Sequence, residues 1–392
     1  MSSSVNRLRF GLVCFCVAVL VFSGARIAPT PNGTHTEERA TEAVGLCRYA
    51  DEVGRFLAGL PTPPGSPFSR LEGTTAWRSH RQQLDSAWKR TESDRLTAMR
   101  SFRDAELGEG LPATAPVFYP FSGPDALTAT VFFPRSPTYI LVGLEPAGTL
   151  PEPRAFENKN LESYLQATRS ALASELGRSF FVTRQMDRQF RGQVTDGLCL
   201  PILELLERSG HSIRGFRYIR LDDEGHIVER APNYHAPGRI GNKGFEVEFA
   251  TDADASIHQL FYFSVNLSNA RLKEDQPFLA YLASLPRFTT FLKATSYMVH
   301  RADFSIIRAQ VLSQSLAVLQ DDSGVPYHFY AAPDWRVQLY GEYVRPYGSF
   351  RYLVQPDLRN AYLTQKPKPL PFRIGYGFGR IESNLQFAER VN

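Results

Sequence analysis

The stretch YILVGLEPAG, residues 139–148, contains the pattern on which our prediction of the fold depends. Its apolar residues are interrupted only by Gly143, and Glu145 follows them directly, just before Pro146. A short apolar run that ends at a turn signal is typical of a strand buried on both faces. We therefore predict a buried strand that delivers a carboxylate at its end.

The residues before this strand place a second carboxylate near the first. Asp125 closes the tight turn Ser-Gly-Pro-Asp, and the run ALTATVFFP, 126–134, is predicted to be another strand. If the two strands form a hairpin, Asp125 and Glu145 lie side by side at one edge. Such a pair suits general acid–base catalysis or a divalent cation. The alternative is structural: Asp125 accepts hydrogen bonds in its own turn, and Glu145 pairs with an Arg or a loop amide.

A third candidate is His300, at the end of a predicted strand over 289–300. The corresponding position of the preceding half of the chain holds Asp187. If the two halves face each other, these strand ends meet in a cleft, where ligand sites are common. The candidate catalytic set is therefore Glu145, Asp125 and His300.

Two segments of the chain have a similar predicted order of elements. Residues 126–229 and 244–330 each suggest strands, a helix, a strand, a helix and a hairpin, and the turns of the two hairpins are LDDEGHI and QDDSGVP. This order predicts an α+β fold with two similar ββαβαββ lobes, a helical N-terminal region and a β-rich C-terminal cap. The alternative is that an α+β chain alternates in this way without duplication, since Asp-Asp-x-Gly is a common turn.

These patterns divide the chain into six predicted parts. They are a signal peptide at 1–25, a linker at 26–36, a helical region at 37–110, a first lobe at 111–237, a second lobe at 238–332 and a β-rich extension at 333–392.

The N-terminus resembles a secretory signal in its arrangement. Arg7 and Arg9 precede an apolar run over 10–22, and small residues at 23–25 suit a signal peptidase. The run is shorter than the roughly 20 residues that a spanning helix requires. We therefore predict a protein exported to the periplasm or the extracellular space, with an uncleaved N-terminal anchor as the alternative.

Composition excludes several classes of protein. Hydrophobic residues are 43% of the chain and charged residues 21%, which is typical of a globular protein rather than a disordered or multi-span membrane protein. The formal net charge of +4 is spread along the chain, so we predict no nucleic-acid partner. Loss of the signal leaves Cys47 and Cys199, for which a disulfide and two free thiols both stay open.

Short motifs of known catalytic sites are missing from the sequence. It has no Gly-x-Ser-x-Gly, no His-Glu-x-x-His, no Walker loop and no Gly-x-Gly-x-x-Gly after a strand. The glycine-rich segment 238–249 precedes a strand and opens no helix, so we interpret it as a flexible connection rather than a phosphate loop. We predict no cofactor and leave a divalent cation open.

Two functions remain as hypotheses. The first is a soluble exported protein that binds a ligand or an envelope partner in a groove between its lobes. The second is a hydrolase that uses Glu145 and Asp125, with His300 or a divalent cation. The missing motifs favour the first hypothesis.

Overall fold

The computed structural model describes residues 33–108, 110–158, 161–181, 197–232, 243–251, 254–330, 333–379 and 382–391. The predicted signal peptide and Asp187 lie outside these residues. The chain divides into two units, 1–40 and 41–392, and every feature below belongs to the second unit unless it concerns the first residues of helix α1.

Ten strands form one mixed sheet in the order β4-β3-β5-β6-β2-β1-β7-β8-β10-β9. The five strands from β6 to β8 are parallel, and the strands on both flanks pair antiparallel. The strands are β1 Val117–Pro120, β2 Thr138–Gly143, β3 His211–Leu221, β4 Ile227–Glu229, β5 Lys243–Thr251, β6 Asp254–Ser264, β7 Phe288–Leu292, β8 Ser315–Gln320, β9 Trp335–Gly341 and β10 Asn384–Arg390.

Helices cover both faces of the parallel strands, and a large apolar core lies against each face. Among the described residues, no helix is long and apolar enough to cross a membrane. The helices are α1 Gly33–Leu57, α2 Ser69–Glu72, α3 Thr75–Thr91, α4 Thr97–Phe102, α5 Ala126–Phe132, α6 Pro153–Asn158, α7 Leu161–Arg178, α8 Cys199–Arg208, α9 Asn269–Glu274, α10 Gln276–Ser284, α11 Ser305–Gln314 and α12 Pro356–Thr364, with π-helical turns at Glu92–Leu96 and Arg103–Leu107.

The path of the chain reverses direction across the sheet between β1 and β7. From β1 the chain adds β2 and then, after the β3-β4-β5 strands, β6 on one side. It then crosses over and adds β7 and β8 on the other side of β1. Strand β1 therefore pairs with β2 on one side and with β7 on the other, and Val117 lies opposite Tyr139 of β2 and Thr289 of β7. Helices that leave adjacent strands on opposite faces open a crevice at such a point.

The predicted strand at 126–134 is wrong, because residues Ala126–Phe132 form helix α5. All seven residues of this helix are buried, so it has no polar face to give a helical pattern. A short helix that is buried on all sides cannot be distinguished from a buried strand by periodicity. The connection from β1 to β2 is consequently a parallel crossover rather than a hairpin.

The prediction that the chain combines helices and strands is confirmed, as a mixed α/β structure around one mixed sheet, whereas the described residues do not establish the duplication. Both predicted lobes contribute strands to the one sheet. The predicted strand over 289–300 ends at Leu292, and residues 321–330 form turns and a single 3₁₀ segment rather than the second arm of a hairpin. The hairpin predicted over 216–229 is confirmed as β3 and β4.

The C-terminal extension also joins the sheet instead of forming a separate cap. It supplies β9, α12 and β10, and β10 inserts between β8 and β9, antiparallel to both. Within this extension, the segment FRIGYGF, 372–378, alternates apolar residues with Arg and Gly, as a strand does, but it lies in a loop and a 3₁₀ turn. Gly375 and Gly377 separate these apolar residues, and glycine favours turns over strands. The alternation by itself was therefore not enough to predict a strand.

Both cysteines of the second unit are free thiols. Cys47 is half-buried and donates a hydrogen bond to the carbonyl oxygen of Arg214, whereas Cys199 is buried in α8. Burial raises the pKa of the Cys199 thiol to about 12, so it stays protonated. The alternative of two free thiols is therefore the one observed.

Candidate functional site

A cleft opens at the carboxyl ends of β1, β2, β6 and β7, where the chain reverses direction. Its cavity measures about 150 Å³, and the open mouth raises the empty space to about 840 Å³. We call it the central cleft, and its lining includes Phe121, Gly123, Asp125, Glu145, Lys293 and Tyr376. The location is the one at which doubly wound sheets bind their ligands.

The turn after β1 is strained and tied to β2. Phe121 has a φ of 62°, which non-glycine residues rarely adopt, and Gly123 has a φ of 55°. The Ser122 hydroxyl accepts a hydrogen bond of 3.1 Å from the amide of Val142. Strain of this kind persists where surrounding contacts hold it, and it concentrates at functional sites.

Asp125 ends this turn and caps helix α5. Its Oδ1 accepts a 3.0 Å hydrogen bond from the amide of Thr128, as an N-cap aspartate does. Its Oδ2 accepts from the Tyr119 hydroxyl at 2.8 Å and lies 2.6 Å from Nζ of Lys293. Burial and the Asp125 carboxylate together raise the pKa of Tyr119 well above its usual value, so the phenol remains a donor.

Lys293 connects the cleft to a buried chain of charges. Its ammonium donates to Thr128 Oγ1 at 3.0 Å and to Glu175 Oε2 at 3.3 Å, besides its contact with Asp125. Glu175 in α7 is also 3.3 Å from Arg95. Burial, and then the nearby Asp125 charge, raise the pKa of Glu175. Two cations and two carboxylates therefore balance one another away from water, as buried charges must.

Glu145 lies two residues beyond the end of β2, where its side chain is half-buried. A β-carbon at Gly143 would lie 2.8 Å from Glu145 Oε2, 2.7 Å from the hydroxyl of Tyr262 and 3.5 Å from Cα of Gly123. Glycine at 143 thus keeps open the space between the Glu145 carboxylate and the turn after β1. The Tyr262 hydroxyl donates to the main-chain oxygen of Glu145 at 2.8 Å, which fixes the strand exit.

The loop after β7 is strained on the opposite side of the cleft. Ala294, Ser296 and Tyr297 have φ values of 50°, 55° and 54°. The Tyr376 hydroxyl holds this loop, since it donates to the carbonyl of Ala294 at 3.0 Å and accepts from the amide of Ser296 at 3.1 Å. Each non-glycine residue at positive φ destabilises the folded state by about 1–3 kcal/mol, so the backbone of this loop is strained.

A buried acidic turn after β8 supports the same loop. Asp321 Oδ2 accepts a 2.8 Å hydrogen bond from the amide of Ala294. Asp322 accepts hydrogen bonds from the hydroxyl of Tyr297 and, at 3.1 Å, from the side-chain Nδ2 of Asn384. Burial, and then the Asp321 charge, raise the pKa of Asp322 to about 7.

Aromatic side chains form one wall of the cleft. Phe121 packs edge-on against Phe304 at a centroid distance of 5.8 Å. Phe180 packs edge-on against Tyr376 at 5.2 Å, and Tyr376 stacks on Tyr297 at 5.9 Å. The cleft therefore combines an aromatic wall with the carboxylates of the strand ends.

Two of the three predicted site residues line the central cleft. Asp125 and Glu145 both face it, although they reach it at the ends of parallel strands rather than on a hairpin. His300 lies outside its lining, in a 3₁₀ turn, with its ring edge-on to Tyr297 at 5.1 Å. Burial lowers the pKa of His300 to about 4, which keeps the imidazole neutral near pH 7.

Sequence reasoning did not identify Lys293, Asp321 or Tyr376. Lys293 and Asp321 had a usable signal, because each directly follows a buried strand, as the glutamate after β2 nearly does. Examining the first polar residue after every predicted buried strand would have identified both residues. Tyr376 had no local signal, since it reaches the cleft from a distant C-terminal turn.

Comparison with known proteins gives no relative. No protein-family model, curated protein or solved structure matches the chain.

Proposed function

We propose that the central cleft binds a ligand that contains a nucleoside and that Glu145 accepts hydrogen bonds from the ribose hydroxyls. The observation that carries the proposal is the position of this carboxylate at the end of β2, beside the point where the chain reverses. In doubly wound sheets the acidic residue that binds ribose follows the glycine turn by about 20 residues. Glu145 follows Gly123 by 22 positions.

The surroundings of Glu145 suit the base of a nucleoside. Leu144 is 64% exposed at the rim of the cleft, where an apolar side chain offers a flat base a surface to pack on. Asn266 lies on the same rim, and its Oδ1 accepts a 3.0 Å hydrogen bond from the amide of Ser268. The Asn266 amide nitrogen is then the donor available to a ring nitrogen of the base.

This proposal specifies the ligand-binding hypothesis and moves the ligand from an interlobe groove to the central cleft. The geometry supports hydrolysis less well. A general base needs a lone pair directed at the substrate, whereas the Asp125 oxygens accept from Thr128, Tyr119 and Lys293. Export remains a prediction from the N-terminal sequence.

Isothermal titration calorimetry with adenosine tests the proposal. Wild-type protein should bind adenosine, and Glu145→Gln should bind it at least about tenfold more weakly, because one charged hydrogen bond is worth about 1.5–3 kcal/mol. Glu224→Gln, in an exposed turn far along the chain, is the matched control and should bind as wild type does. A wild-type protein that does not bind adenosine, or a Glu145→Gln variant with unchanged affinity, would overturn the proposal.

A further inference from the structure

From the pairing of polar groups around the turn after β1, we infer that the nucleoside bound in the central cleft carries an uncharged, apolar group on its 5′ carbon, such as a thioether, instead of a phosphate or an amine. This inference rests on the proposed nucleoside site and adds the chemistry of the 5′ substituent. In doubly wound sheets the group attached to the 5′ carbon lies at the turn after β1. Here that turn, 121–125, and the loop after β7, 293–298, both line the cleft.

The uncharged polar side chains of these two segments already have partners within the protein. The Ser122 hydroxyl accepts a hydrogen bond of 3.1 Å from an amide of β2. The Thr295 hydroxyl donates to a carbonyl of the buried turn after β8 at 2.5 Å, and the Ser296 hydroxyl lies 3.2 Å from that of Tyr376. A polar 5′ group would have to compete with these hydrogen bonds, so the two segments offer it little.

The two charged side chains of the same segments neutralise each other. Oδ2 of Asp125 and Nζ of Lys293 are 2.6 Å apart, and both side chains are buried. Asp125 also accepts from Tyr119 and Thr128, and the lysine also donates to Thr128 and Glu175. The sequence of the two segments holds no further charged residue. A charged 5′ group of either sign would therefore lose its hydration here without gaining an opposite charge from them.

Apolar side chains supply the surface beside these paired groups. Phe121, Phe180, Phe181 and Met298 line the cleft, and each is half-buried, so part of each side chain stays accessible to a ligand. The cavity measures about 150 Å³, and an apolar cavity of that size accommodates a benzene ring. Because removal of apolar area from water is favourable, an apolar 5′ group is the one that this surface stabilises.

A series of adenosine derivatives that differ only at the 5′ position tests the inference by isothermal titration calorimetry. The probes are adenosine, its 5′-deoxy derivatives with methylthio, propylthio, phenylthio or amino groups, and adenosine 5′-monophosphate. We expect the affinity to rise about threefold for each methylene added between methylthio and propylthio, and the phenylthio compound to bind at least about tenfold more tightly than adenosine. The amine and the monophosphate should each bind at least about tenfold more weakly than the methylthio compound.

A variant of the cleft locates the apolar group. Met298→Gln keeps the length of the side chain and makes its end polar. It should weaken the phenylthio compound at least about fivefold more than it weakens adenosine. Leu363→Gln, at an exposed position of α12, is the matched control and should bind every probe as wild type does.

The outcomes separate this inference from the proposed function. No binding of adenosine by the wild-type protein overturns the nucleoside site and the inference with it. Adenosine binding that depends on Glu145, together with a phenylthio compound that binds no more tightly than adenosine, overturns the apolar group alone. An amine or a monophosphate that binds as tightly as the methylthio compound does the same. If Met298→Gln does not fold, the wild-type series decides. If it folds and keeps the full preference for the phenylthio compound, the inference is also overturned.

Discussion

The two Asp-Asp-x-Gly turns of this protein, 222–225 and 321–324, share a sequence pattern and differ in everything around it. The first closes the hairpin of β3 and β4, and Asp222 accepts hydrogen bonds from the amides of Glu224 at 3.1 Å and His226 at 2.7 Å. The second follows the parallel strand β8 and is buried, and there Asp321 accepts from the amide of Ala294 in the cleft.

The glycines of the two turns show the same difference. Gly225 has a φ of 86°, so the hairpin relieves its strain with a glycine. Gly324 does not have a positive φ, but a β-carbon there would lie 2.4 Å from Oε1 of Gln320. In the cleft, the strained position opposite this buried turn is held by Ala294 instead. A turn motif thus specifies a local bend, and the strand that it follows decides whether the bend supports a site.

The largest expected effect is at Lys293, which lies next to the loop that the buried turn supports. Lys293→Met leaves the carboxylates of Asp125 and Glu175 buried with less compensation, so we expect a loss of about 3–5 kcal/mol in the free energy of unfolding. Urea unfolding measures it. Lys273→Met, at an exposed position of α9, is the control and should change stability by less than about 0.5 kcal/mol. Equal effects of the two changes would contradict the buried network.

The next effect compares the first aspartates of the two turns directly. Asp321→Ala removes the acceptor of the amides of Ala294 and Ser323, which we expect to cost about 2–3 kcal/mol because buried donors are left unpaired. Asp222→Ala leaves the amides of Glu224 and His226 free to hydrogen-bond with water, so it should lower the free energy of unfolding much less. Matched urea unfolding curves measure the difference, and similar losses would mean that the two turns are equivalent after all.

Asp322 gives the buried turn a pH dependence of its own. Its pKa is raised from 3.8 to about 7, so its stabilising contribution is fully present below pH 3.8 and is lost as the pH rises through about 7. Between pH 4 and 8, wild-type protein should lose on the order of 1–3 kcal/mol relative to Asp322→Asn. Parallel slopes for wild type and Asp322→Asn would rule out a raised pKa.

The smallest effect concerns the backbone. Ala294→Gly should raise stability by about 0.5–1 kcal/mol, because glycine adopts a φ of 50° without strain. Gly225→Ala should lower stability by at least about 1 kcal/mol, because the new β-carbon would meet the amide of Tyr281 at 2.7 Å. Thermal unfolding at one pH measures both changes. If Ala294→Gly proves destabilising, the loop after β7 is not strained as described.

Local rules predicted much of the fold and part of the site. The buried strand within 139–148, the helices within 37–110 and the hairpin over 216–229 follow from hydrophobic periodicity and turn residues. Helix α5 did not, because burial on all sides removes the pattern that distinguishes a helix from a strand. The juxtaposition of Asp125 and Glu145 was expected, but from a hairpin that does not exist.

The partners of these carboxylates required the three-dimensional structure. Lys293 lies 168 positions after Asp125, and Tyr376 lies 80 positions after Ser296. Contacts over such separations depend on strand order, which periodicity does not encode. The reversal of the chain between β1 and β7 places these residues around one cleft, and only the sheet reveals it.

The most direct test of the nucleoside site is a double-mutant cycle between Glu145 and the ribose hydroxyls. Affinities of wild type and Glu145→Ala are measured for adenosine and for 2′,3′-dideoxyadenosine. If the carboxylate binds the hydroxyls, removing them costs wild type at least about tenfold and costs Glu145→Ala little, which gives a coupling energy above about 1 kcal/mol. Equal losses in the two proteins, or a dideoxy compound that binds wild type as tightly as adenosine does, would contradict the assignment of Glu145.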